Sequence, residues 1–103
     1  MLKVYGSEMC PDCRECKRNF DCYQIPYEFI DINESLKNLS DFLRMRDEEE
    51  IFDRCKEDHD IGLPALINEE GVVFLDWENY VAALGYEVLY PEEEACRIDG
   101  KGC

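Results

Sequence analysis

The sequence predicts an α/β protein with a mixed four-stranded sheet flanked by helices, in the order β-α-β-α-β-β-α. The first two β-like runs, 2–5 and 27–32, are separated by a helical segment, as in a parallel βαβ unit. The last two runs, 65–68 and 72–75, are separated by Glu69-Glu70-Gly71, which is typical of a hairpin turn. A chain of 103 residues is long enough for one such domain with one core.

The first helix is predicted to begin at Pro11, because proline is well tolerated at the first helical position. Four residues at helical spacing then form one face, which we expect to lie against the sheet: Cys13, Cys16, Phe20 and Tyr23. The residues Gln24-Ile25-Pro26 are predicted to end this helix.

The region between Ile32 and Gly62 contains neither glycine nor proline, which predicts one long helix or two helices joined near Asp47. Asn33 is the expected N-cap. Two apolar stripes occur at helical spacing, namely Leu36, Leu39 and Leu43, followed by Ile51, Phe52 and Cys55.

The last helix is predicted to be capped by Asp76 and ended by Gly85. Its expected apolar face consists of Trp77, Tyr80, Val81 and Leu84. We therefore predict a domain over residues 1–85 and a C-terminal extension over residues 86–103, where no strong periodicity is visible.

The formal net charge of −14, from 25 acidic and 11 basic residues, argues against nucleic acid or an anionic membrane surface as a partner. The chain has no run of 18 apolar residues and no start resembling a signal peptide. We therefore expect a cytoplasmic protein. In that reducing compartment cysteines are more often catalytic or metal-binding than paired in structural disulfides.

Seven cysteines are present, and three of them lie in the stretch SEMCPDCREC. Cys10 is predicted to lie at the N-terminus of the first helix, where unpaired N–H groups and the helix dipole stabilise a thiolate. Cys13 lies one turn inside, at the spacing of a C-x-x-C disulfide. This pattern predicts a dithiol–disulfide oxidoreductase in which Cys10 attacks a substrate disulfide and Cys13 resolves the mixed disulfide.

Two alternatives remain open on these residues. A zinc or iron–sulfur module could use Cys10, Cys13 and Cys16 together with Cys96 and Cys103 from the tail, although a helical position for Cys13 and Cys16 disfavours it. A non-catalytic interaction domain would leave the cysteines idle. We expect Cys16 and Cys55 to be core residues, Cys22 to be a surface thiol, and the two tail cysteines to form either a redox clasp or two free thiols.

Over residues 1 to about 85 the chain resembles glutaredoxin-related proteins. The resemblance rests on Cys10-Pro11-Asp12-Cys13, on Tyr5 upstream, and on Leu63-Pro64 before the Ala65-Leu66-Ile67 run. It implies a thioredoxin-like fold, disulfide exchange at Cys10 and Cys13, a cis bond before Pro64, and a Leu63 backbone that pairs with the substrate.

The resemblance also implies a substrate site that includes Pro11, Asp12, Leu63, Pro64 and Asp76. It implies a disulfide-containing protein or small thiol as partner, no tightly bound cofactor, no metal, and glutathione as the reductant.

Three positions depart from the pattern of that family. Asp12 stands where the family commonly has tyrosine, and Ser7 stands where it commonly has lysine. The family's Gly-Gly-Cys-Asp motif is absent, and Leu75-Asp76-Trp77-Glu78 lies nearby, where we expect Asp76 to act as a helix cap. These departures weaken the expectation of glutathione use more than the expectation of dithiol chemistry.

Overall fold

A computed structural model describes residues 1–90 of the chain. The strands are β1 (Leu2–Gly6), β2 (Tyr27–Asp31), β3 (Ala65–Ile67) and β4 (Val73–Phe74), and the helices are α1 (Pro11–Cys22), α2 (Leu36–Glu48), α3 (Asp53–Glu57) and α4 (Trp77–Ala83). A short 3-10 turn at Glu50–Phe52 precedes α3. This element order is the one that the sequence predicts.

The four strands form one mixed sheet in the order β2-β1-β3-β4. Strand β1 pairs in parallel with β2, with Val4 opposite Phe29, and antiparallel with β3, with Val4 opposite Leu66. Strands β3 and β4 form the antiparallel hairpin. The predicted class, a thioredoxin-like α/β fold with a mixed four-stranded sheet and flanking helices, is confirmed.

The core consists of two clusters on opposite faces of the sheet, because successive side chains of a strand point to opposite sides. Helices α1 and α4 cover one face, where the buried residues are Leu2, Val4, Cys16, Phe20, Ile25, Leu66, Trp77 and Val81. The other face is covered by the 36–57 region, and its buried residues are Phe42, Phe52 and Ala65. The prediction that Cys16 is a core residue is confirmed.

Helix α2 is capped by Ser35, whose side chain accepts a hydrogen bond from the backbone N–H of Asn38, and not by Asn33 as the sequence predicted. The leucine stripe lies on α2 but is not its core face, since Leu36 is 84% exposed, Leu43 is exposed and Leu39 is half-buried. Leu36 is the first helical residue and faces solvent, and the residue that fills the core is Phe42.

The second stripe is correct only in part. Phe52 is fully buried, Ile51 is exposed and Cys55 is half-buried, so Cys55 is not the core residue that we expected. The physical reason is the break after Glu48. A 3-10 turn and a single turn of α3 follow it, and neither continues the periodicity of α2. Of the two predicted arrangements, two helices joined near Asp47 is therefore the correct one.

The turn and cap predictions near the end of the domain are confirmed. Gly71 adopts a φ of 84° in the hairpin and Gly85 a φ of 93° after α4, where a side chain would be strained. Asp76 caps α4 by accepting a hydrogen bond from the Asn79 N–H at 2.9 Å. Leu84 is exposed because it lies at the C-cap, beyond the buried face of α4.

The first residues of the predicted extension pack along α1. The buried Asn19 side chain accepts a hydrogen bond from the Leu89 N–H at 2.8 Å and donates to the Leu89 carbonyl at 2.9 Å. The rings of Tyr23 and Tyr86 stack with centroids 4.4 Å apart. Residues 91–103, with Cys96 and Cys103, lie outside the described part of the chain, so the domain boundary and the redox clasp stay predictions.

None of the helices within residues 1–90 has both the length and the apolar character needed to cross a bilayer.

Candidate active site

Cys10 is the N-cap of α1 and Pro11 is its first residue, as the sequence predicts. The Cys10 sulfur accepts a hydrogen bond from the backbone N–H of Cys13, with an N–S distance of 3.4 Å. The side chain is half-buried, so one side of the sulfur remains accessible. Because the N-terminus of a helix carries partial positive charge, this position stabilises negative charge on the sulfur.

A short loop between β1 and α1 positions Cys10. The Cys10 N–H donates to the Ser7 carbonyl at 3.1 Å, and the Met9 N–H donates to the Ser7 hydroxyl oxygen at 3.1 Å. The Ser7 hydroxyl itself donates to Oδ1 of Asn33. Asn33 therefore holds the loop that carries Cys10, a role that the sequence analysis missed when it assigned this residue to a helix cap.

Cys13 lies one turn inside α1 and is fully buried. Burial raises the pKa of the Cys13 thiol to about 12, and its hydrogen bond with the Cys10 sulfur and the charges of Cys10 and Asp12 act in the same direction. A hydrogen bond from the Ser7 backbone lowers the pKa and only partly offsets these effects. At neutral pH Cys13 is therefore a protonated thiol beside Cys10.

Asp12 is fixed by α4. Its Oδ1 accepts a hydrogen bond from the indole N–H of Trp77 at 3.2 Å, and Trp77 is fully buried. Burial of the carboxylate raises the pKa of Asp12 and the charge of Glu78 adds to the effect, whereas the hydrogen bond from Trp77 lowers it. The sequence predicted Trp77 only as a core residue and missed this polar contact. Asp12 and Trp77 are 65 residues apart, so only the fold brings the indole N–H to the carboxylate.

Cys10 opens onto a groove of about 560 Å³. The groove is lined by Cys10, Asp12, Cys55, His59, Asp60, Ile61, Gly62, Leu63, Pro64 and Leu75. Four residues predicted for the site, Cys10, Asp12, Leu63 and Pro64, therefore meet in one place. Pro11 begins the helix beside the groove, and Asp76 lies outside the lining as the cap of α4.

The segment before β3 forms the wall opposite the helix. The Leu63–Pro64 peptide bond is cis, which confirms that prediction, and the Leu63 carbonyl oxygen lies 4.0 Å from the Cys10 sulfur. Pro64 is fully buried beneath this wall. The backbone of Leu63 thus lies beside the Cys10 sulfur.

The rest of the wall comes from residues that the sequence analysis did not assign to the site, namely Cys55, His59, Asp60 and Ile61. Arg46 of α2 holds this loop in place, because its guanidinium donates to the carbonyls of Asp60 at 2.7 Å and of Ile61 at 2.8 Å. No local motif marks these residues, because only the fold of the chain brings them to the groove that Cys10 lines.

Within residues 1–90, no group of three or more His, Cys, Asp or Glu side chains is placed to hold a metal ion. Cys16, the third sulfur of the opening stretch, is buried in the core cluster of α1 and α4. A metal centre of the kind weighed above would therefore depend on Cys96 and Cys103, which lie outside the described residues.

The pKa of Cys13 predicts a pH dependence of stability. In the unfolded chain the thiol ionises near its ordinary pKa of 9.0, whereas in the folded chain it keeps its proton to about 12. The contribution of this thiol to the stability of the reduced protein should therefore be complete below pH 9 and be lost as the pH rises from 9 towards 12, with a loss of about 2 kcal/mol at pH 10.5.

Urea unfolding of the reduced protein at pH 7.5 and pH 10.5 measures this loss, and Cys13→Ala should reduce it. The matched control is Cys22→Ala, which removes an exposed thiol and should leave the loss unchanged. Equal losses in the wild type and in Cys13→Ala would contradict the prediction.

Comparison with known proteins gives a relative in sequence and likenesses in structure. The chain is 36% identical to an uncharacterized protein of Haemophilus influenzae over 73 residues, which are 71% of this chain and 85% of that protein. No protein-family model matches the chain.

Among solved structures, the chain is similar to an epsilon-class glutathione S-transferase from the housefly, Musca domestica, with a TM-score of 0.51, 23% identity and 82% of this chain covered. It also matches glutathione S-transferase isozyme E7 of Drosophila melanogaster, with a TM-score of 0.47, 23% identity and the same coverage. The chain spans only 34% and 33% of these two proteins, and the first likeness concerns the fold alone. With its thioredoxin-like fold, the chain belongs to the same family as the uncharacterized Haemophilus influenzae protein.

Proposed function

We propose that the protein is a glutaredoxin-like dithiol–disulfide oxidoreductase, with Cys10 as the attacking thiol and Cys13 as the resolving thiol. The observation that carries this proposal is the position of the Cys10 sulfur. It accepts the Cys13 N–H at the start of α1 and opens onto a groove whose far wall is the Leu63 backbone. A nucleophilic thiolate needs a stabilising donor, access and a place for its substrate, and this position supplies all three.

In the first step the Cys10 thiolate attacks one sulfur of the substrate disulfide. The Cys10–substrate disulfide forms, the substrate S–S bond breaks, and the other half leaves as a thiolate that takes a proton from water. By resemblance to glutaredoxins, the Leu63 backbone pairs with the segment that carries the attacked sulfur, while Pro11 and Asp12 lie beside it.

In the second step Cys13 attacks the Cys10 sulfur, and the remaining half of the substrate leaves as a thiol. Cys13 must lose its proton for this step. The first step helps, because a mixed disulfide removes the negative charge of Cys10, which is one of the causes that raise the pKa of Cys13. The products are a Cys10–Cys13 disulfide and a substrate reduced by two electrons.

A thiol reductant then restores the dithiol. Glutathione is the donor that the resemblance implies. The proposed partner is a disulfide-containing protein or a small thiol, and the group reduced is a disulfide. Neither role requires a tightly bound cofactor.

The test is to mix the reduced 103-residue chain with bis(2-hydroxyethyl) disulfide and to map the disulfides formed by peptide mass spectrometry. We expect both halves of the reagent to appear as free thiol and the oxidised protein to contain a Cys10–Cys13 link. Cys22→Ser is the matched control, since it removes an exposed cysteine and should keep the reaction unchanged.

Two outcomes would overturn the proposal. Unchanged disulfide reduction by Cys10→Ser would favour a non-catalytic interaction domain. Stoichiometric zinc or iron in the full chain, bound through Cys10 and lost in Cys10→Ser, would favour the metal module.

A further inference from the structure

The groove beside Cys10 carries negative rather than positive side chains. Its lining contains two carboxylates, Asp12 and Asp60, and neither lysine nor arginine. His59 is the one lining residue that can become cationic, and it does so only when its imidazole is protonated. Glu78 adds a third carboxylate close enough to Asp12 to influence its ionisation.

Two cationic side chains lie behind the groove wall. Arg46 and Lys56 line a neighbouring pocket on the far side of the 59–61 loop. The guanidinium of Arg46 is bonded to the carbonyls of that loop, and the Lys56 ammonium lies 3.4 Å from the Asp47 carbonyl oxygen. Neither residue presents its charge to a molecule held over Cys10.

The remaining wall is apolar and accessible. Ile61 is 62% exposed, and it lies beside the half-buried Leu63 and Leu75 in the lining. A ligand of this groove therefore meets apolar contacts along one wall, with Asp12 and Asp60 among the lining residues.

We propose that this groove selects a cationic peptide segment, in which the disulfide-bonded cysteine is flanked by lysine or arginine, over the anionic glutathione. The inference rests on the proposed function and names the substrate class of that same site. A peptide with basic neighbours places positive charge beside Asp12 and Asp60, whereas the two carboxylates of glutathione are repelled by them.

The net charge of the whole chain also favours a cationic substrate over an anionic one. With a formal net charge of −14, it attracts basic partners and repels anionic thiols before contact, and this effect weakens as salt screens the field. A salt-dependent reaction rate alone would therefore report the net charge of the whole chain. The effect of replacing a single carboxylate of the groove reports the charge at the site itself.

The test uses three peptides of equal length, each with one cysteine in a mixed disulfide with thionitrobenzoate and flanked by two lysines, two glutamines or two glutamates. Attack by the Cys10 thiolate joins Cys10 to the peptide sulfur and releases coloured thionitrobenzoate. Each rate is divided by the rate of the same peptide with mercaptoethanol, which removes differences in intrinsic reactivity. Oxidised glutathione is the fourth substrate, and its reaction rate is measured from the reduced glutathione that it releases.

At low salt we expect the lysine peptide to react on the order of ten times faster than the glutamate peptide, and the ratio to shrink at about 0.5 M salt. Asp60→Asn and Asp12→Asn should each lower the ratio by about threefold. Glu70→Gln, which removes the same charge from the β3–β4 hairpin outside the groove lining, should lower it much less.

The outcomes separate this inference from the proposed function. Equal rates for the three peptides, faster reaction of the glutamate peptide or glutathione, or equal effects of Glu70→Gln and Asp60→Asn would refute the cationic groove and leave the oxidoreductase intact. If Cys10→Ser releases thionitrobenzoate as fast as the wild type, the oxidoreductase itself is wrong and the inference is wrong with it.

Discussion

The Cys13→Ser variant should accumulate a stable mixed disulfide between Cys10 and its substrate. The attack by Cys10 uses the helix N-terminus and the groove, neither of which depends on the Cys13 sulfur. Release depends on that sulfur, because Cys13 is buried next to Cys10 and its attack is intramolecular. Intact mass spectrometry after mixing with a disulfide peptide should show the adduct in nearly every molecule of the variant and little of it in the wild type.

Two further variants complete this experiment. Cys10→Ser should form no adduct at Cys13 or Cys16, since both are buried and out of reach of a bulky disulfide. Cys16→Ser should retain most of the activity, because Cys16 packs in the core and not in the groove. An adduct at Cys13 in the Cys10→Ser protein would contradict the assignment of roles, as would a Cys16→Ser protein that is as inactive as Cys10→Ser.

The Gly6→Ala variant should be destabilised and slow in the release step. A Cβ at Gly6 would lie 2.9 Å from the Cys13 sulfur and 2.9 Å from a ring carbon of Phe29, both closer than such contacts occur. Because Cys13 is fully buried, it has little room to yield, and we expect a loss on the order of 1–3 kcal/mol from overpacking. Urea unfolding measures the loss of stability, and single-turnover kinetics measures the release of the second substrate half.

A double-mutant cycle isolates the contact with the sulfur. In the Cys13→Ala background the same Gly6→Ala change should cost less, since only the contact with Phe29 remains. Identical losses in both backgrounds would show that the Cys13 sulfur does not limit the space at Gly6.

The parts of the fold that the sequence predicted well are those encoded by local chemistry. Pro11 at the first helical position, Asp76 as an N-cap and Gly71 in the hairpin each satisfy a requirement that involves only a few neighbouring residues. The position of Cys10 at the start of α1 is of the same kind. These local rules, together with the resemblance around Leu63 and Pro64, were enough to predict that these two residues share a site with Cys10.

The parts that the sequence did not predict depend on where α2 and α3 lie over the sheet. Periodicity identified the stripe of Leu36, Leu39 and Leu43, but it does not show which face of the helix lies on the sheet, and the structure buries Phe42. Cys55 was assigned to the core for the same reason. Only the break after Glu48 and the path of the following loop turn Cys55 towards the groove.

Arg46 supports the 59–61 loop through backbone carbonyls and not through a side chain of that loop. A hydrogen bond to a carbonyl is available whichever residue occupies the position, so replacing a loop side chain leaves this support in place. The loop can therefore change the chemical character that it presents to a ligand while its backbone path stays anchored to α2. Mutation can in this way change substrate preference without changing the conformation of the loop. Variants at positions 59–61 can therefore be compared for selectivity on the same backbone.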